Sequence, residues 1–372
     1  MVLEFCEEIL DVRKMRVLVA SANYPTLDGR KSMYYVHSRN LYYVRAGIEV
    51  VVLSFGASSE YIIDGIRVIT EEQYAKNNDR YDVLLCHAAN LRNHYKFLRK
   101  HDHNFKIIVF FFHGHEILHL NKYYPKPYDY MKRSFDIPIA QDIYDTFKIK
   151  TWKHYYKKNK AKLELVFVSR WIYNQFLTEF KIREDDYSSQ THIISNSVGE
   201  FFERNNYTPG KIEYDFISIR SPLDQSKYCV DIIVKLAEIY PRYKFCLIGK
   251  GNYFNFYDKP ENLIWMNTEL SHPEMMELLN KSRYALFPTR EDTQGLMACE
   301  LATFGMPLIT SDIEVCKIVF NNCPNVYFMD NEKPNLEEAI NNLKPWSESG
   351  KWEEYLSKNT VLREIELLKS LN

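Results

Sequence analysis

The sequence predicts an α/β protein made of two Rossmann-like domains in tandem, facing each other across a cleft. Three observations predict it. The chain has 372 residues, more than one hydrophobic core ordinarily serves. Short apolar runs such as MRVLVA (Met15–Ala20), YDVLLCH (Tyr81–His87) and FKIIVFFFH (Phe105–His113) read as strands buried on both faces of a parallel sheet. Runs of this kind alternate with helical patterns in two series, which is the signature of doubly wound α/β domains.

In order, strand Met15–Ala20 leads through the loop SANYPTLDGRK into a helical pattern from about Ser32 to Ala46 and a strand over Gly47–Phe55. The strands Tyr81–His87 and Phe105–His113 flank a helical stretch near Leu91–His101. Both end in histidine, at the carboxyl ends where such sheets bind ligands. A helix-rich stretch, Tyr128–Lys160, precedes strands Leu163–Ser169 and His192–Val198. Polar Gly199–Glu213, with Pro209-Gly210, reads as the linker. The second series runs through strands Tyr214–Ser221, Lys244–Gly249, Asn262–Met266, Tyr284–Pro288, Pro307–Thr310 and Asn325–Met329. Its helices are expected near 228–240, 273–282, from Gly295 onward, and 335–343. Domains of residues 1–198 and 214–350 follow, joined by 199–213. Lys351–Leu371 reads as a long amphipathic helix beyond the second domain.

Composition excludes several classes. Hydrophobic residues at 46% and charged residues at 26% describe a globular chain. A formal charge of −1 argues against a protein that seeks polyanions as a whole, so nucleic acid is not an expected partner. Seven scattered cysteines without a C-x-x-C pair read as reduced core residues of a cytoplasmic protein. No apolar run reaches about 18 residues, and Met1–Lys14 is charged and lacks the apolar core of a signal peptide.

The chemistry concentrates in PTREDTQGLMACELATFGMPLITSD, Pro288–Asp312. A strand end, a polar loop and a helix starting near Gly295 make an anion site, because the first helical N–H groups lack partners and the helix dipole favours negative charge there. Asp292 in the loop and Glu300 in the helix can face one crevice, which suits a polyhydroxylated ligand carrying a phosphate. The alternative for Asp292 and its neighbour Glu291 is helix capping alone. Gly249 and Gly251 flank Lys250 after a strand, without the third glycine of a dinucleotide fingerprint. His115, Glu116 and His119 match H-E-x-x-H, and on a helix the two histidines would share a face and could bind zinc. No D-x-D triple occurs in the chain. Lys148–Lys162 holds seven lysines and no acid, interleaved with Trp152, Tyr155 and Tyr156. That pattern suits an anionic membrane surface or a lipid-diphosphate, or else an ordinary solvated face.

Pro288–Pro307 resembles the acidic-x7-acidic signature of retaining GT-B glycosyltransferases of the family-4 type. ISIRSPLDQSKYCVDII resembles that family's donor-phosphate segment, FCLIGKG its glycine turn and FFFHGHE its histidine loop, in the family's order. The resemblance implies a GT-B fold whose C-terminal helix returns to the N-terminal domain, with Arg220 and Lys227 on the donor diphosphate. It implies Glu300 on the ribose hydroxyls, Asp292 facing the donor sugar in the position usually held by Glu, and His113 beside the reacting centre. Gly249 and Gly251 would form the donor turn. Backbone N–H groups at Gln294, Gly295, Leu296 and Met297 would meet the phosphates. Gly29, with Arg30 and Lys31, stands where the family has two glycines. Without a metal, cations and N–H dipoles must stabilise the leaving diphosphate, so no metal and no cofactor is expected. The expected activity is transfer of a sugar from a nucleotide-diphospho-sugar, a UDP-hexose or UDP-N-acetylhexosamine by family frequency, to a glycan or lipid-linked acceptor in polysaccharide assembly. The expected place is the cytoplasm, with the inner face of the membrane reached through 148–162. A sugar-nucleotide epimerase, a catalytically silent binding protein and, through H-E-x-x-H, a zinc hydrolase are the alternatives.

Overall fold

The computed structural model describes residues 14–77, 79–132, 138–344 and 351–371. By its internal contacts the chain divides into two units, Met1–Val109 with Ile365–Asn372, and Phe110–Glu364.

In the first unit the chain runs β1 (Arg16–Ser21), α1 (Tyr34–Arg45), β2 (Glu49–Ser54), β3 (Tyr61–Ile63), β4 (Ile66–Ile69), α2 (Glu71–Lys76), β5 (Val83–His87) and α3 (Lys96–His101). Strand β6 (Ile107–Phe112) crosses the boundary. The strand order is β3-β4-β2-β1-β5-β6. Its pairs are parallel where β1 meets β2 and β5, and antiparallel between β3 and β4. Every residue of β5, and five of six in β1 and β2, is buried, as a sheet covered on both faces requires. The hairpin β3–β4 and helix α2 escape the sequence reading: YIIDGIRVI is short, and only β4 alternates into the core.

The second unit continues with α4 (Leu120–Tyr123), α5 (Pro138–Asn159), β7 (Leu163–Phe167), α6 (Arg170–Phe180) and β8 (Thr191–Ile193). Here β6, β7 and β8 are neighbours. After α7 (Gly199–Arg204) come β9 (Tyr214–Ile219), α8 (Val230–Ile239), β10 (Phe245–Ile248), β11 (Leu263–Met266), α9 (His272–Asn280) and β12 (Ser282–Phe287). The series ends with α10 (Leu296–Phe304), β13 (Leu308–Ser311), α11 (Glu314–Val319), β14 (Val326–Met329), α12 (Leu336–Asn342) and α13 (Val361–Ser370). The six strands β11-β10-β9-β12-β13-β14 form one sheet, parallel throughout. From β9 the chain winds outward to β10 and β11, then returns to β12 on the other side. The boundary between β9 and β12 is thus a topological switch point, where the loops after the two strands diverge and leave a crevice.

Three element readings need correction. The 199–213 segment contains helix α7. The long helix expected over Lys351–Leu371 is confined to α13, because the apolar spacing that carries its moment begins only at Val361; 351–360 is turn and 3-10 structure, and 345–350 lies outside the described residues. In α5, Trp152, Tyr155 and Tyr156 face the core, all three edge-on to Phe110, with Tyr156 stacked on Phe180. Lys148 is also buried, with Nζ donating to Asp145 (2.7 Å) and to the carbonyls of His115 and Leu118. The aromatic half of the expected membrane face is therefore core, since burying large rings outweighs their value at a surface.

Candidate functional site

Loops after β9 and β12 meet at the switch point. Arg220 leaves the end of β9 and is 8% exposed. Its Nη2 donates to the Pro288 carbonyl (2.8 Å), and its guanidinium lies over the rings of Phe287 (4.4 Å) and Tyr228 (5.3 Å). Its Nε finds no partner among the described residues. Burial lowers the Arg220 pKa, yet a guanidinium keeps its charge in a protein, so a buried cation with an unused donor waits at the sheet end. Lys227, seven residues on, places Nζ over Tyr228 (4.8 Å) and Tyr124 (5.8 Å). Its carbonyl accepts from Arg290 N (2.9 Å) and Thr289 Oγ1 (3.1 Å), which ties the cation's loop to the loop after β12.

That second loop carries the acids. Asp292 Oδ1 accepts from Thr293 N (2.8 Å) and Gly295 N (2.9 Å). Gly295 takes φ 72° at the N-cap of α10, whose first turn has no side-chain cap. The N–H groups of Leu296 and Met297 open that helix, which leaves a dipole end suited to an anion. Glu291 is 7% exposed, with Oε1 unpartnered among the described residues. Burial, reinforced by Asp292 and opposed by Lys227, pushes it up to about 8. Burial alone raises Glu300, half-buried on α10, to about 8. Near neutral pH Glu291 thus holds a proton and adds no negative charge beside Lys227.

The glycines have steric reasons. A Cβ on Gly249 (φ 149°) would stand 1.8 Å from the Arg220 carbonyl oxygen, and one on Gly251 2.9 Å from Leu223 Cβ. The turn after β10 is pressed against the Arg220–Asp224 loop, and only glycine permits that approach.

The histidine loop reaches the same place. His113 follows β6, and its N–H, with that of Gly114 (3.0 Å), donates to the Glu116 carboxylate. A Cβ on Gly114 would lie 2.7 Å from Thr293 Cγ2, so this turn packs on the acid loop. The H-E-x-x-H reading fails on geometry. His115 sits in a turn rather than a helix, Glu116 is committed to those backbone donors, and His119 Nδ1 is paired with Glu179 at 2.5 Å. Among the described residues no three His, Cys, Asp or Glu side chains gather at metal-binding distance.

The site thus brings together Arg220, Lys227, Gly249, Gly251, Asp292, Gln294–Met297, Glu300 and the turn after His113. Gly29 belongs to the other unit, in the loop after β1, with φ 89° and its N–H donating to the Thr26 carbonyl (3.0 Å). Sequence reasoning missed the clamps of the acid loop. Ser169, the N-cap of α6, donates Oγ to the Thr293 carbonyl (2.6 Å). Gln294 Oε1 accepts from Asn196 N (2.9 Å) and Nδ2 (2.7 Å), and Gln294 Nε2 donates to the Asn196 carbonyl (3.0 Å). A serine directly after a strand is a readable capping signal; an amide pair 98 residues apart has none. Tyr124, His115, Pro127, Met131, Asp224 and Lys227 line an adjoining cavity of about 300 Å³.

No protein-family model matches this sequence, and no curated protein matches it by sequence. Solved structures do match by fold. A sucrose-phosphate synthase from Thermosynechococcus elongatus superposes with a TM-score of 0.70 at 12% identity, covering 96% of this chain and 99% of that one. A glycosyltransferase from Rickettsia africae gives 0.66 at 14% identity over 96% and 99%. A UDP-forming α,α-trehalose-phosphate synthase from Burkholderia vietnamiensis gives 0.63 at 10% identity over 96% and 97%. The fold of this chain is the α/β GT-B fold of such enzymes, with two parallel-sheet domains.

Proposed function

We propose that this chain is a retaining glycosyltransferase, independent of metal and cofactor, that moves a sugar from a nucleotide-diphospho-sugar to a hydroxyl of a glycan acceptor. One observation carries the reading. Two cations, an uncapped helix N-terminus and two carboxylates converge at the switch point between β9 and β12. Arg220, Lys227 and the N–H groups of Gln294, Gly295, Leu296 and Met297 receive the diphosphate and stabilise the charge that develops on it as it leaves. Glu300 takes the ribose hydroxyls, Asp292 the sugar hydroxyls, and Gly249 and Gly251 let the backbone approach the nucleoside. His113 steadies the reacting centre. The acceptor hydroxyl attacks from the face the diphosphate leaves, and a donor phosphate oxygen takes its proton, so no protein base is required.

UDP-glucose-type donors have support from the fold: a UDP-forming synthase and an Anabaena protein in complex with UDP and glucose share it. A lipid-linked sugar acceptor in polysaccharide assembly, on the cytoplasmic face of a membrane, fits the lysines of α5 that stay exposed, Lys150, Lys157 and Lys158. Among the described residues no helix is long and apolar enough to cross a membrane, so such contact would be peripheral. Product analysis tests the reaction class. Incubation with UDP-glucose and a glycan acceptor should release UDP and a glycoside that keeps the donor's anomeric configuration. Conversion of the donor to an epimer without any acceptor would replace this reading with an epimerase.

A further inference from the structure

The segment YPKPYDYM, Tyr124–Met131, lies across the loops of the site and is fastened to them. Tyr128 Oη donates to Asp231 Oδ1 (2.9 Å), Tyr130 Oη donates to Asp224 Oδ1 (2.7 Å), and Ser226 Oγ donates to the Lys126 carbonyl (2.7 Å). The rings of Tyr128 and Tyr130 stack at 5.9 Å, and Tyr130 lies flat on Phe256 at 4.4 Å.

Asp231 is where this strap meets the site. It stands in the first turn of α8, four residues after Lys227, and takes a two-pronged contact from Arg290, with Nη1 at 2.9 Å and Nη2 at 2.5 Å. Arg290 Nη1 also donates to the Ser226 carbonyl (2.8 Å), and its backbone N–H to the Lys227 carbonyl (2.9 Å). Arg290 immediately precedes Glu291 and Asp292. One arginine therefore joins the loop of the cation to the loop of the acids through both side chain and backbone. The forked geometry fixes orientation as well as distance. Tyr128 is the additional donor on the same carboxylate, so the strap can leave only by removing a charge-assisted bond from the group that holds Arg290.

We propose that Tyr128, Asp231 and Arg290 are positioning residues of the donor site: the relay sets Lys227 against Glu291 and Asp292, and couples docking of the strap to binding of a nucleotide-sugar diphosphate. It rests on the donor reading of these loops. By linkage, whatever the docked strap adds to donor binding, the bound donor returns to the strap.

Two measurements on the full chain test it: calorimetric titration with UDP, UDP-glucose, ADP and ADP-glucose, and amide hydrogen exchange at Lys227–Cys229 and Thr289–Gly295. Tyr128→Phe keeps the stacked ring and removes the hydroxyl that donates to the Asp231 carboxylate and accepts from the Asp231 N–H at 3.5 Å; it should weaken binding of the best of these ligands roughly three- to tenfold, the scale of a charge-assisted hydrogen bond acting indirectly. Exchange in both loops should quicken, with the melting temperature nearly unchanged. Asp231→Asn and Arg290→Lys, which loses the fork, should do the same more strongly. Tyr123→Phe, whose hydroxyl bonds Gln175 and Glu179 instead, should change neither readout. Wild-type affinity and exchange in Tyr128→Phe would overturn the relay even if the Asp231 variant fails to fold. Absence of binding of all four ligands by the wild-type chain would overturn the donor reading instead, while the exchange arm still decides whether the relay fixes the loops.

Discussion

Lys227 and Glu291 show how single side chains set the electrostatics of the crevice. Lys227 Nζ rests on two tyrosine faces and makes no ion pair among the described residues, so its charge is available to a ligand. Lys227→Ala should cost about 2–4 kcal/mol of transition-state stabilisation, the range for losing one preorganised charge donor, read as a fall in kcat/KM. Turnover close to wild type would remove Lys227 from the site. Glu291 gives a pH signature. Its folded pKa lies near 8 against an ordinary 4.5, so between those values the folded chain binds a proton that the unfolded chain has released. Stability contributed by that proton is present below pH 4.5 and is lost as pH rises through 8. Glu291→Gln mimics the protonated acid. It should therefore gain stability relative to wild type from about pH 5 to about pH 8.5, by about 1–3 kcal/mol, in urea unfolding at the two pH values. A difference that does not change with pH would show that Glu291 is ionised in the folded chain.

At the scale of elements, the turn after β10 and helix α5 make opposite points about reading sequence. G-K-G looked like a weak glycine motif, because spacing alone carries little information. The fold supplies the reason for Gly249: a Cβ would collide with the Arg220 carbonyl. Gly249→Ala should destabilise by at least about 3 kcal/mol, through backbone displacement at a position of φ 149°. Chemical denaturation checks this, and near-native stability would mean the turn is loosely seated. In α5 the lysine and aromatic residues alternate so closely that both a surface and a core face fit the sequence. Packing against β6 and α6 decides it. Trp152→Ala should cost about 3–5 kcal/mol as a core truncation, whereas Lys157→Ala should stay within about 0.5 kcal/mol.

Across the whole molecule, most strands were legible because parallel strands buried on both faces leave uninterrupted apolar runs, as in β1, β5 and β6. The short hairpin β3–β4 and the six-residue helices α2 and α11 were not, since brief elements carry little periodicity. Arg220, Gly249 and Asp292 come to one end of the second sheet because each stands in the loop after a strand, β9, β10 and β12. What holds them was not: Asn196 with Gln294, Ser169 with Thr293, and Arg290 with Asp231 are pairings over 59 to 124 residues. Such contacts exist only once the sheet has brought distant loops together. The two neighbouring acids also differ in surroundings that spacing does not reveal: Asp292 accepts from the N–H groups of Thr293 and Gly295, and Glu291 is buried beside Lys227.

The central claim, that the switch point between β9 and β12 holds a nucleotide-diphospho-sugar, is tested most directly by thermal unfolding of the full chain with UDP-, ADP- and GDP-glucose. A ligand bound only by the folded chain raises the melting temperature by mass action, by about 2.7 kcal/mol of stability at a hundredfold excess over Kd. The account predicts such a shift for at least one of the three, and a much smaller one in Lys227→Ala. No shift with any of them, or equal shifts in wild type and Lys227→Ala, would contradict it.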